Sequence, residues 1–178
     1  MNKSTLADPN LYSGNTKGNW DKRKAPRLKG YDYSTPGAYF ITICTKDRKC
    51  LLSTIVGGDA HIAPCVRLAY AGIVAEKYLR SIPGIAEYVI MPNHVHMILH
   101  ISAKETLQGP MWASAPTAAS IPSMIRSWKT LTSKELGQSI WQRSYYDHVI
   151  RDEQDYLIKV RYIEENPAKW RNDSYYSE

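Results

Sequence analysis

The period of the hydrophobic positions changes several times along this chain, and each change marks an element. Residues 38–45, AYFITICT, are β-branched and aromatic and follow the turn pair Pro36-Gly37, which predicts a strand. From 67 to 81, Leu68, Ala71, Ala75, Tyr78 and Leu79 recur at helical spacing until Pro83-Gly84 stops them, so a first helix is expected there. Residues 86–92 and 94–101 read as two strands divided by Pro92-Asn93. The stretch 103–119, rich in Ala, Thr, Ser, Pro and Gly, reads as a loop. Ile121, Met124, Ile125, Trp128 and Leu131 predict a second helix over 121–135, with Pro122 in the first turn, where its missing N–H is tolerated. WQRSYYDHVI, 141–150, predicts an extended segment leading to Asp152, the N-cap of a third helix over about 153–165 that Pro167 closes. This order describes a split βαβ, α+β fold with an antiparallel sheet covered by helices.

Composition narrows the class. With 178 residues, 43% hydrophobic and 22% charged, the chain suits one folded domain with a real core. No apolar run approaches eighteen residues and MNKSTLADPN lacks a secretory hydrophobic segment, so a cytoplasmic protein without a membrane role is expected. Three cysteines, Cys44, Cys50 and Cys65, form no CxxC pair and predict reduced thiols; His61 with Cys65 could make only an adventitious Zn2+ site. The net charge of +6 points to a polyanionic partner. Seven of the 23 basic residues fall in the first thirty positions against two of the 17 acidic ones, leaving a near-balanced remainder. The reading is therefore a basic leader over 1–29, a domain over 30–172 and a short tail over 173–178. The leader is either an arm that tracks phosphates or a solvated tail.

Chemistry concentrates in two places. Alternation along MPNHVHMILH puts His94, His96, Ile98 and His100 on one face of a strand and Val95, Met97, Leu99 and Ile101 on the other, which is the core face. Two neutral imidazoles two residues apart can share a divalent cation on a partly open site, or can simply be hydrogen-bonded histidines. On the third helix Tyr156, Leu157, Val160 and Ile163 cluster on one side, while Tyr162 falls on another with Asp155, Ile158 and Asn166. Tyr162 is thus expected to be displayed and Tyr156 to be packed. Pro167 biases Asn166 out of helical geometry and makes it a cap.

These stretches carry a resemblance. His94-Val95-His96 after Met91-Pro92-Asn93, the segment WQRSYYDHVIRDEQDY, the terminal RYIEENPAKW and KGYDYSTPGAYFITICTKDRK near the start are similar, in order and spacing, to single-tyrosine HUH transposases. Within that group the chain resembles the REP-associated tyrosine transposases and their IS200-like relatives, over about residues 27–170. The resemblance implies a ferredoxin-like sheet with the histidine pair on a central strand and a nucleophilic tyrosine, Tyr162, on a C-terminal helix. It also implies that His94, His96 and Asn166 hold a divalent metal, Mg2+ or Mn2+. The implied substrate is a single-stranded DNA hairpin, cut to leave a 5′-phosphotyrosine enzyme and a free 3′-hydroxyl, by a protein acting as monomer or homodimer.

Other residues suit contact with DNA. Lys46, Arg48 and Lys49 lie in the turn after the first strand, Arg126 and Lys129 on the second helix, and Arg143 and Arg151 beside the proposed catalytic segment. Tyr145 and Tyr146 should alternate in and out of a strand, one packed and the other a stacking platform for bases, and His148 could reach a phosphate. Trp128 is periodic with the core. A competing reading is a domesticated, non-catalytic DNA- or RNA-binding protein with a structural metal site, which would explain the histidines but not the displayed tyrosine.

Overall fold

The computed structural model describes residues 30–58, 63–102 and 120–177; the leader, His61 and the 103–119 loop lie outside the described residues. A four-stranded antiparallel sheet organises the chain. Its strands are β1 (Gly37–Cys44), β4 (Ile85–Ile90), β5 (His94–Ile101) and β6 (Tyr146–Ile150), in the spatial order β4-β5-β1-β6. With α1 (Tyr70–Leu79) joining β1 to β4 and α2 (Ile121–Leu136) joining β5 to β6, this is the ferredoxin-like split βαβ arrangement. A third helix, α3 (Glu153–Glu165), follows β6.

The two faces of the sheet are covered by different elements. Tyr39, Ile41 and Ile43 of β1 and Val95, Met97 and Leu99 of β5 are buried against Ala75 and Leu79 of α1 and Ile121, Met124 and Trp128 of α2. Trp128 is fully buried, as its periodicity predicts, and its indole N–H donates to the Ala75 carbonyl at 3.0 Å. Helix α2 starts at a capping box between Ser120 and Ser123 and ends at Gly137, whose φ of 70° is the left-handed conformation that favours glycine. On the opposite face α3 lays Ile163, Val160 and Tyr156 over Ile98, Val89 and Met91.

Several expectations need correction. The first helix begins at Tyr70, because Cys65–Leu68 pairs with Ser53–Val56 as a small hairpin, β2 and β3, outside the main sheet. Four alternating residues satisfy a ladder as well as they start a helix, and the pairing decides. The segment after Trp141 joins the sheet only from Tyr146. Trp141 makes an isolated bridge to Thr45, and Lys129 donates to the Gln142 and Ser144 carbonyls at 2.9 and 3.3 Å, which holds that stretch off the ladder. Leu157, expected on the packed side of α3, is 56% exposed. It lies about 120° around the helix from Ile163, so the stripe that meets the sheet misses it. Asn166 caps α3 while keeping helical φ and ψ of −57° and −42°, so Pro167 ends the helix without unwinding the residue before it.

Candidate metal centre and tyrosine site

The pairing of β1 with β5 builds the floor of the site. Cys44 lies opposite His94 and Thr42 opposite His96, so every polar side chain on this face has a cross-strand neighbour. Thr42 Oγ1 meets His96 Nδ1 at 2.8 Å. Asn93 Oδ1 meets His94 Nδ1 at 2.8 Å, while its Nδ2 donates to the Arg48 and Tyr175 carbonyls at 3.2 and 2.7 Å. Those two acceptors fix the orientation of the Asn93 amide, so Oδ1 accepts from His94 Nδ1–H and the His94 Nε2 carries the lone pair. Both rings are thus held from behind, as metal-binding imidazoles are.

The expectation of a partly open histidine face does not hold. His94 and His96 are 0% and 1% exposed, because α3 and the segment after it close over them. The Tyr175 ring lies 4.8 Å from that of His94, and Trp170 lies 5.9 Å from it. Burial, aided by the Arg48 charge, pushes the His94 ring down to about 3. Burial likewise holds His96 well below the usual imidazole range, with His94 and Lys159 adding to the effect. Both rings are neutral at physiological pH.

Helix α3 brings the remaining groups to these rings. Asn166 is 2% exposed, and its Nδ2 donates to Asp173 Oδ2 at 3.1 Å. Among the described residues, His94 Nε2, His96 Nε2 and Asn166 Oδ1 are buried and accept no hydrogen bond. An orphaned buried acceptor is costly, and three in one site need an electrophile. Two imidazole nitrogens and an amide oxygen fit a divalent cation. The Asp173 carboxylate joins them: its ligand atom and the two histidine nitrogens all lie within 4.8 Å of one another.

Tyr162 stands at the rim. Its ring lies 5.0 Å from that of His96 and 5.9 Å from that of Phe40, both edge-on, and it remains 40% exposed. Partial burial, reinforced by the negative charge of Asp173, raises the phenol to about 12, with the Asn166 side chain pulling the other way. The phenol faces a cleft of about 880 Å3 that Phe40, Tyr146, His148, Lys159 and Asn166 also line. Tyr145 is packed and Tyr146 exposed, the alternation expected of them. His148 is paired with Asp155 at 2.7 Å.

The other candidate contacts are dispersed. Lys46 and Arg143 line a separate shallow depression beside Trp141, and Lys49 is exposed in the same turn as Lys46. Arg48 is turned onto the C-terminal segment, bonding the Ser174 carbonyl at 3.2 Å and lying over the Tyr175 ring. Lys129 is held by backbone carbonyls, Arg126 is exposed on the helix that packs the other face of the sheet, and Arg151 is exposed after β6. Sequence reasoning missed Asp173, Tyr175 and Lys159. Lys159 sits one turn before Tyr162 with its ammonium 5.3 Å from the Phe40 ring, and its helical spacing was the available signal. Asp173 and Tyr175 lie in NDSYYSE, which has no period to read.

Comparison with known proteins identifies the family and the fold. A family described as "Transposase IS200 like" matches residues 35–166. A Haemophilus influenzae protein of uncharacterized function is 36% identical over 173 residues, covering 86% of this chain and 93% of that one. A second H. influenzae protein, named provisionally as a REP-associated tyrosine transposase, is 28% identical over 141 residues, covering 78% and 74%. Among solved structures, a REP-associated tyrosine transposase bound to a REP hairpin superposes with a TM-score of 0.53 at 23% identity, covering 80% of this chain and 73% of that one; the likeness is one of fold. No helix among the described residues is long and apolar enough to cross a membrane.

Proposed function

The chain belongs to the IS200-like transposase family, and from that premise we propose that it cuts and rejoins single-stranded DNA beside hairpins through Tyr162. The observation that carries the reading is that three buried acceptors without a donor, His94 Nε2, His96 Nε2 and Asn166 Oδ1, belong to residues around Tyr162, the α3 ring that packs on His96 and lines the cleft.

Tyr162 Oη attacks the scissile phosphorus, so an O–P bond forms to the 5′ side while the bond to the 3′ oxygen breaks. The phenol loses a proton and the departing 3′ oxygen gains one, leaving a 5′-phosphotyrosine and a free 3′-hydroxyl. Attack by that hydroxyl, or another, on the phosphotyrosine forms a new phosphodiester, breaks the Tyr162 Oη–P bond and returns the proton to the phenol, rejoining strands. His94, His96 and Asn166 would hold a divalent cation, Mg2+ or Mn2+, which when bound supplies Lewis acidity to the nonbridging phosphate oxygens. Asn93 and Thr42 keep the imidazoles turned toward the site. Tyr146, exposed on the cleft wall, stacks a base, and Lys159 and His148 lie where a strand in the cleft would pass.

Hairpin strands labelled at the 5′ or the 3′ end test this. The expected result is a covalent adduct carried by the 3′ fragment alone, with the 5′ fragment released free. One observation favours a second reading, a binding protein with a structural metal: the histidines are completely buried, as closed structural sites are. That reading predicts tight binding of metal and hairpin with no adduct on either fragment.

A further inference from the structure

We propose that Asp173 is a fourth protein ligand of the metal, an inference that rests on the metal-dependent reading above. Asp173 lies beyond residue 166, where the family match ends, so nothing in that match assigns it. Its side chain is 3% exposed, and Oδ2 stands 3.9 Å from His94 Nε2. Among the described residues no lysine or arginine lies within salt-bridge distance of it. A carboxylate this buried, with the Arg48 guanidinium acting on it only from beyond salt-bridge distance, is unfavourable, and a bound cation would offset that cost.

The carboxylate is also held in place. Oδ1 accepts the Tyr175 N–H at 2.7 Å and Oδ2 accepts Asn166 Nδ2 at 3.1 Å. The Asp173 N–H donates to the Trp170 carbonyl at 3.0 Å, and Arg48 grips the next residue through the Ser174 carbonyl. A carboxylate has about four lone-pair positions, so Oδ2 keeps capacity for an ion beside His94. The bond from Asn166 does a second job: with Nδ2 donating to Asp173, the amide Oδ1 is left buried without a hydrogen-bond donor.

The chemical consequence is selectivity. Two imidazoles and an amide alone suit Zn2+ or Ni2+ well, whereas an added anionic oxygen favours harder ions such as Mn2+ and Mg2+. Four protein ligands would still leave positions for phosphate oxygens or water on a cation that takes six.

Calorimetric titration of the full chain with Mn2+ and with Zn2+ tests the assignment on wild type, Asp173→Asn, Asp173→Glu and His96→Ala. The Asp173→Asn amide oxygen can accept from Asn166 or from Tyr175 but not from both, so the substitution removes the charge and one of the two hydrogen bonds. We expect it to weaken Mn2+ binding by about 10- to 100-fold and Zn2+ binding less, with Asp173→Glu recovering part of the loss. Unchanged Mn2+ affinity in Asp173→Asn alongside its loss in His96→Ala would overturn the assignment while leaving the metal site intact. Wild type that binds neither ion would sink the metal reading itself, and this inference with it. Should Asp173→Asn fail to fold, anomalous diffraction from wild-type crystals grown with Mn2+ decides directly. An ion at bonding distance from an Asp173 oxygen supports the proposal, and an ion on the histidines but out of reach of Asp173 contradicts it.

Discussion

Val95, Met97 and Leu99 on one side of β5 and His94 and His96 on the other are equally hidden from water, yet they are hidden for different reasons. The first set belongs to the buried hydrophobic cluster that includes residues of α1 and α2, each contact replacing water with dispersion and close packing. The second set is covered by α3 and the Asp173–Ser177 segment with its ring lone pairs left unsatisfied. The apolar face stabilises the fold, and the polar face is stabilised by it. Burial alone therefore does not distinguish core from site; the unsatisfied acceptors do.

The largest effect on stability should come from the apolar side. Trp128→Ala removes a fully buried indole and its bond to the Ala75 carbonyl, and should lower the unfolding free energy by about 3–5 kcal/mol in denaturant titration. A loss under about 1 kcal/mol would mean that this face is far looser than its packing implies.

A smaller and pH-dependent effect should mark the polar side. The unfolded His94 ring takes up a proton near 6.5, whereas the folded ring does so only near 3. Between those values the unfolded chain binds more protons, so stability is fully present above about pH 6.5 and falls as pH drops. The slope should be about 1.4 kcal/mol per pH unit from His94, with His96 acting in the same direction. Asp173, whose carboxyl burial raises, works against the trend at the acid end. Urea unfolding of the metal-free protein between pH 6.5 and 5 should show the decline. A flat profile there would indicate that the histidines reach solvent, and would erase the contrast between the faces.

Much of this contrast was legible in the sequence. Strict alternation through HVHMILHI separates the two faces of β5, and helical spacing places Tyr162 and Asn166 on one flank of α3. The split βαβ order also follows from the sequence of periods. What pattern could not supply was anything decided by contacts distant in sequence. The β2–β3 hairpin depends on pairing two four-residue segments, each too short to carry a period of its own. The closing of the histidine face depends on Asp173–Ser177, where Asp173 and Tyr175 gain their place through contacts with Arg48, Asn93 and Asn166. A single aspartate in an aperiodic segment gives no sign that it will be buried.

The claim that the polar face performs chemistry is tested most directly by locating the DNA adduct on the chain. Wild-type protein incubated with single-stranded hairpin DNA and Mn2+, digested and mapped by mass spectrometry, should carry the 5′-phosphate of the 3′ fragment on Tyr162 alone. Tyr162→Phe should fold and bind the hairpin but give no adduct. An adduct mapped to Tyr145 or Tyr146, or one that persists in Tyr162→Phe, would contradict the account.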